Sequence, residues 1–157
     1  MYNAITRDVE PELLPALKKL GMSFYAYNPL AGGVLSGKHK FDAPPEGGRF
    51  SRDTLWGAIY SRHRYWHKAI FDAIDQLKAT CEKHEIDLVS ASIRWMRHHS
   101  QLTEAMGDAV IICGSTAAQV KANTDACRDE TPLPQELVEG FEAAWKMSKP
   151  HCVPYFK

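Results

Sequence analysis

The stretch Tyr25-Ala26-Tyr27-Asn28-Pro29-Leu30-Ala31-Gly32-Gly33-Val34-Leu35-Ser36-Gly37-Lys38 constrains this chain more than any other. Met22 to Tyr27 is short, apolar, alternating and aromatic, which predicts a buried strand. Pro29 then ends any ladder, because it has no N–H to give. Three glycines and a lysine follow. Glycine lets a backbone approach a ligand closely, and free N–H groups beside an ammonium favour an anion. The stretch therefore reads as a strand running into a loop suited to phosphate. Two other readings stand beside it. An ordinary glycine turn has the same composition. Gly32-x-x-x-x-Gly37-Lys38 also matches most of a P-loop, but His39 stands where that motif needs Ser or Thr for magnesium. Lys40 to Gly48, with Pro44 and Pro45, cannot open the helix that a P-loop requires.

The flanking pattern predicts a parallel α/β arrangement. Met1 to Ile5 reads as a short strand and Asp8 to Leu20 as a helix, with Pro11 in its first turn and Leu13, Leu14, Leu17 and Leu20 as an apolar stripe. Gly21 closes it, and the next strand begins at once. Strand, helix, strand with short joints predicts a right-handed crossover. Phe41 to Arg52 is a loop, and Asp53 to Lys68 a short helix or two. His63 and His67 lie four apart but lack a third ligand, so no metal site is expected. Amphipathic helices are expected over Ala69 to Glu85 (Ile70, Ile74, Leu77, Cys81) and about Asp87 to His99, where His98 and His99 suit the helix end. Asp108 to Cys113 is an uninterrupted apolar run, as in a strand buried on both faces. Gly114, Ser115 and Thr116 follow, then a helix from Ala117 to Cys127, a second place where a helix N-terminus suits an anion. A plain N-cap would look the same. Two such sites after parallel strands would lie at one end of one sheet, which suits an extended ligand with phosphates, such as a nucleotide cofactor. A last helix is expected over Gln135 to Met147.

The 157 residues fit one domain or part of one. The 19 basic and 19 acidic side chains balance, which argues against a nucleic-acid partner. No apolar run approaches the ~20 residues of a membrane span. No leader-like segment stands at the start, and the four scattered cysteines read as reduced cytoplasmic thiols.

Several spaced blocks resemble a known family. They are Met1-Tyr-Asn-Ala-Ile-Thr-Arg7, Tyr25-Ala-Tyr-Asn-Pro-Leu-Ala-Gly-Gly33, Gly48-Arg-Phe50, Arg64-Tyr-Trp66, Arg94-Trp-Met96, His98-His-Ser-Gln-Leu102, Gly107-Asp-Ala-Val-Ile111 and the closing Tyr155-Phe156-Lys157. The chain resembles the aldo-keto reductases, in particular the aflatoxin-aldehyde (succinic semialdehyde) reductases. The resemblance implies a (β/α)8 TIM barrel that binds NADPH and reduces aldehydes or ketones. A whole barrel takes about 250 residues. The chain is therefore expected to be a partial barrel: the C-terminal half, with the last three strands, their helices and the C-terminal extra helix. The N-terminal half, and the catalytic aspartate, tyrosine, lysine and histidine that the family carries there, have no counterpart, as in a truncated product. Such a half is expected to be inactive alone, and to be unstable or to pair as a homodimer or with a complementary N-terminal half.

The resemblance also implies site roles. The loop holding Asn28, Pro29, Leu30, Gly32, Gly33, Ser36, Gly37 and Lys38 would cradle the pyrophosphate. Tyr27 would stack on the nicotinamide and Arg49 would hold the cofactor. Gly114, Ser115, Gln119 and Asn123 would surround the adenosine 2′-phosphate and adenine, with Lys121 nearby favouring phosphate. Arg64 would contact a substrate carboxylate. Lys157 would do so more weakly than the family's arginine, because it lacks the planar fork.

Overall fold

A computed structural model of the chain describes residues 1–55, 57 and 62–156. Among them are six helices: α1 (Leu13–Leu20), α2 (Arg62–Tyr65), α3 (Lys68–Lys83), α4 (Leu88–His98), α5 (Ala117–Arg128) and α6 (Gln135–Ser148). Two short strands, β1 (Tyr25–Ala26) and β2 (Ala109–Val110), form a parallel pair. The fold is α/β, rich in helix, with this small parallel sheet.

The helices form where spacing and caps agree. Asp87 accepts the Ser90 N–H at 3.0 Å to start α4, and Thr116 accepts the Gln119 N–H at 3.2 Å to start α5. Gly21, at φ 65, ends α1: its N–H reaches Lys18 O at 3.3 Å, and the Met22 N–H reaches Leu17 O at 3.0 Å. That pair of bonds is a Schellman motif, and it needs a left-handed residue. The expected face of α3 is buried, with Ile70, Ile74, Leu77 and Cys81 joined by Phe71 and Ala73. Helix α3 packs on α6, and α4 on α5. Trp95 and Phe141 lie at the centre of the core, ring centroids 6.2 Å apart, with the Tyr2 ring edge-on to Trp95.

Four expectations need correction. Met1 to Ile5 is not a strand. Asn3 and Thr6 exchange backbone bonds at 3.2 and 3.0 Å, and Asn3 Oδ1 accepts the Ile5 N–H at 3.1 Å. The apolar content of this segment fills the core as a turn, and it meets the chain just after β1 through the Tyr2 N–H on Tyr27 O at 3.3 Å and Asn3 Nδ2 on Asn28 O at 3.0 Å. The helix expected from Asp8 begins at Leu13. Arg7 pairs with Glu10 at 2.8 Å and the Tyr2 hydroxyl donates to the same carboxylate at 2.6 Å, which holds 7–12 as turns. Of its leucine stripe only Leu14 is buried, and Leu20 is 71% exposed.

The third and fourth corrections concern the strands. Register pairs Tyr25 with Ala109 and Ala26 with Val110, and the ladder adds Ala109 N–H to Phe24 O (3.1 Å) and Ile111 N–H to Ala26 O (2.8 Å). Side chains alternate across a strand, so Ala26 and Val110 share one face, and Tyr25, Tyr27, Ala109 and Ile111 share the other. Ala26 is fully buried under the helices, whereas Tyr25, Tyr27 and Ile111 are 63%, 44% and 48% exposed. Neither strand is buried on both faces. The two strands do exit at the same end, and that end carries the site.

Candidate functional site

A cavity of about 660 Å³ opens at the carboxyl ends of β1 and β2. Among the described residues it is lined by Tyr27, Asn28, Gly48, Arg49, Thr54, Ile111 and Cys113. Tyr27 and Asn28 follow β1 directly. Ile111 and Cys113 follow β2. Gly48 and Arg49 come from the long loop, which aromatic packing fastens in place. His39 and Trp66 both pack on Phe50, with centroids 5.2 and 5.3 Å away, and Trp66 packs on Phe71 at 4.7 Å. The Trp66 indole also donates to Phe41 O at 3.0 Å. Burial, and then Lys38, push the His39 pKa down, so this ring favours its neutral form.

The glycine loop does not present free amides. Gly32 N–H donates to Asn28 Oδ1 at 2.6 Å, Gly33 N–H to Leu30 O at 2.8 Å, and Gly37 N–H to Val34 O at 3.0 Å. The loop coils as a 3₁₀ turn over Ala31–Ser36, and Ala31, Val34 and Leu35 point into the core. Gly32, Gly33 and Gly37 all have positive φ, which the turn requires. Pro29 is buried and Leu30 half-buried; Ser36 is half-buried and Lys38 exposed beyond the turn. No helix opens after Lys38: residues 38–50 are turns, bends and irregular backbone, which agrees with setting the P-loop aside. An anion at this end would meet the Arg49 side chain rather than the amides of Gly32, Gly33 and Gly37.

The turn after β2 is also closed on itself. Gln119 Oε1 accepts the Ser115 N–H at 2.8 Å, and Asn123 Nδ2 donates to Cys113 O at 2.8 Å. A Cβ on Gly114 would stand 2.9 Å from Val120 N, so the turn has room only for glycine. These four predicted residues are brought together in one turn beside the cavity, although Cys113 is the member that lines it. Lys121 is engaged by Asp125 at 2.6 Å. Arg64 Nη1 reaches Met1 Sδ at 3.2 Å. Lys157 lies outside the described residues, as do Trp56 and Tyr60.

Reading the sequence brought Tyr27, Asn28 and Arg49 to the cavity but gave Ile111, Gly48 and Thr54 no role there. Ile111 was legible in principle, because it leaves β2 beside the exit of β1. Thr54 carries no local signal. His67 stands just before α3 without a side-chain capping bond, and its ring stacks on His151 with centroids 4.9 Å apart.

Comparison with known proteins gives the family. A sequence model described as the Aldo/keto reductase family matches residues 1–146. The chain belongs to the aldo/keto reductase family. It is 44% identical over 164 residues to "Aflatoxin B1 aldehyde reductase member 2" of Mus musculus, covering all of this chain and 44% of that protein. It is 43% identical over 164 residues to "Aldo-keto reductase family 7 member A3" of Homo sapiens, covering all of this chain and 49% of that protein. A fungal relative, "Aldo-keto reductase pigE" of Monascus ruber, is 36% identical over 160 residues, 99% of this chain and 46% of that protein. The chain thus spans about half the length of the curated relatives it matches. Among the described residues no helix is long and apolar enough to cross a membrane.

Proposed function

We propose that this chain is the cofactor-binding half of a cytoplasmic NADPH-dependent aldo-keto reductase that converts aldehydes or ketones to alcohols. In this reading it is the C-terminal part of a (β/α)8 barrel, with the N-terminal half and its catalytic residues elsewhere. The observation that carries the reading is the cavity at the shared exit of two parallel strands. It combines a half-exposed aromatic ring, Tyr27, with a cation, Arg49, and an apolar wall, Ile111. That donor set fits a nicotinamide dinucleotide: a ring to stack on and a guanidinium for phosphate. NADPH supplies the hydride when bound. The chain's own residues bind and orient it: Tyr27 offers its face, Arg49 neutralises phosphate, and the coiled glycine loop fixes the floor beside Asn28. The open face of β1 and β2 is where a second copy or a complementary N-terminal half would pack. Arg64 and Lys157 are proposed for a substrate carboxylate.

General acid catalysis is typically worth about 10²–10⁴-fold in rate, and no catalytic acid is assigned in this half. The chain alone is therefore expected to bind NADPH without reducing aldehydes. Thermal unfolding with and without NADPH tests the first part. A ligand at 100 times its dissociation constant adds about 2.7 kcal/mol to a folded binder. A transition indifferent to NADPH overturns the reading. Aldehyde-dependent oxidation of NADPH by the purified chain overturns the inactivity.

A further inference from the structure

Asn28 is a cavity residue whose carboxamide is held at both its nitrogen and its oxygen. Its φ is 68, in the left-handed region that few residues other than glycine adopt. Its Nδ2 donates to the Tyr65 hydroxyl at 2.8 Å, its Oδ1 accepts the Gly32 N–H at 2.6 Å, and its carbonyl accepts Asn3 Nδ2 at 3.0 Å. The Tyr65 hydroxyl in turn donates to Met1 Sδ at 3.1 Å. Tyr65 is 3% exposed. Its ring also flanks Gly32: a Cβ there would meet Phe50 Cζ at 3.3 Å, Arg49 Cδ at 3.6 Å and Tyr65 Cδ2 at 3.7 Å.

We propose that Tyr65 is a positioning residue for the cavity, setting the Asn28 carboxamide and, through it, the Gly32 amide and the loop that the bound ligand meets. The directions of the bonds are consistent. The phenol oxygen takes a proton from Asn28 Nδ2 and gives its own to Met1 Sδ, which Arg64 Nη1 at 3.2 Å and Asn28 Nδ2 at 3.8 Å also reach. Burial pushes the phenol pKa well up, so the hydroxyl keeps its proton at neutral pH. A phenylalanine would fill the same space and pack the same neighbours. The hydroxyl is therefore not needed for packing; its contribution is polar, to Asn28 and to Met1 Sδ. Without it, the carboxamide nitrogen loses its 2.8 Å anchor against rotation, and the left-handed backbone at Asn28 is less well determined.

The inference rests on the reading of the cavity as the NADPH site, and its test separates the two. Gly32 amide hydrogen exchange and the NADPH dissociation constant are measured for the full chain and for Tyr65→Phe. Tyr155→Phe serves as control, since it removes a tyrosine hydroxyl bonded to the exposed Glu12 at 2.9 Å. The expected result for Tyr65→Phe is Gly32 exchange faster by about tenfold and NADPH affinity weaker by about tenfold, with a melting temperature no lower than that of the control. Asn28→Gly, which accepts the same φ without strain, should show the same pair of changes, and it reads the relay from its other end if Tyr65→Phe folds poorly. Unchanged Gly32 exchange in both variants overturns the relay, whatever NADPH does. Faster exchange with unchanged NADPH affinity overturns the positioning role. A parent chain that binds no NADPH overturns the function reading and the positioning role together, and faster Gly32 exchange would then show that the failure lies in the cofactor assignment and not in the hydrogen bonds.

Discussion

The two faces of the strand pair differ sharply. Under one face, Ala26 meets a closed core in which Trp95, Phe141, Leu137 and Tyr2 are fully buried. On the other, Tyr25, Tyr27 and Ile111 stand about half-exposed, on side chains that are as apolar as those beneath. The helical side pairs its buried guanidinium as well, although the buried Trp95 Nε1 has no hydrogen-bond partner among the described residues. The buried guanidinium of Arg94 donates through Nε and Nη2 to Thr131 O at 3.1 and 2.8 Å, and Nη2 also reaches Pro132 O at 3.2 Å. The difference separates a face that is closed by the helices from one that is open to solvent. Exposed apolar surface on a sheet face is the kind of surface on which interaction sites are found.

The comparison breaks first on core truncation. Phe141→Ala removes a fully buried ring and should cost about 3–5 kcal/mol, enough to abolish the cooperative urea transition of a marginal chain. Arg94→Ala comes next. It leaves two carbonyls without their donor and should cost about 1–3 kcal/mol, and Arg94→Lys should recover only part because it cannot present the fork. Tyr25→Ala, on the open face, should shift the urea midpoint by no more than about 0.5 kcal/mol. A cost near that of Phe141→Ala would show that the face is covered in solution by a second copy, and a dependence of the midpoint on protein concentration would confirm that cover.

This asymmetry also sorts what the sequence could tell. Helices α3, α4 and α6 were legible from their apolar residues at helical spacing, and α5 from the glycine turn and hydroxyl cap that precede it. The common exit of β1 and β2 followed from two apolar runs each ending in a glycine turn. The open face was not legible. Tyr25 and Ile111 are as apolar as Ala26 and Val110, and no local pattern says whether a partner covers them. Met1 to Ile5 misled for the opposite reason, since a buried turn and a buried strand need the same residues. The glycine loop was read as offering its amides, but Asn28 folds back on Gly32, a left-handed contact that composition does not reveal. Thus the elements could be read, and the identity of the cavity's true polar groups required the geometry.

The smallest effect is a pH slope on the finished side. His99 ends α4, and its Nε2 accepts the Leu133 N–H at 3.0 Å, which requires the neutral ring. Burial first, then His98 and Arg94, pushes its pKa below the ordinary 6.5. The unfolded chain therefore takes up this proton more readily than the folded one. The stability this ring contributes is whole above pH 6.5 and is lost as pH falls from 6.5 through the lower folded value. His39 shifts the same way. Its share cancels in the difference between the parent and His99→Gln. Asp129 and Glu136 have carboxyls held below their ordinary values of 3.8 and 4.5, so their losses fall at lower pH. Melting temperatures between pH 7.5 and about 5.5 should thus drop less steeply in His99→Gln than in the parent. Equal slopes would mean that the Leu133 bond does not depend on the neutral ring. A shallower slope in the variant would place one acid-sensitive joint of the helical side at the end of α4, away from the open face and its cavity.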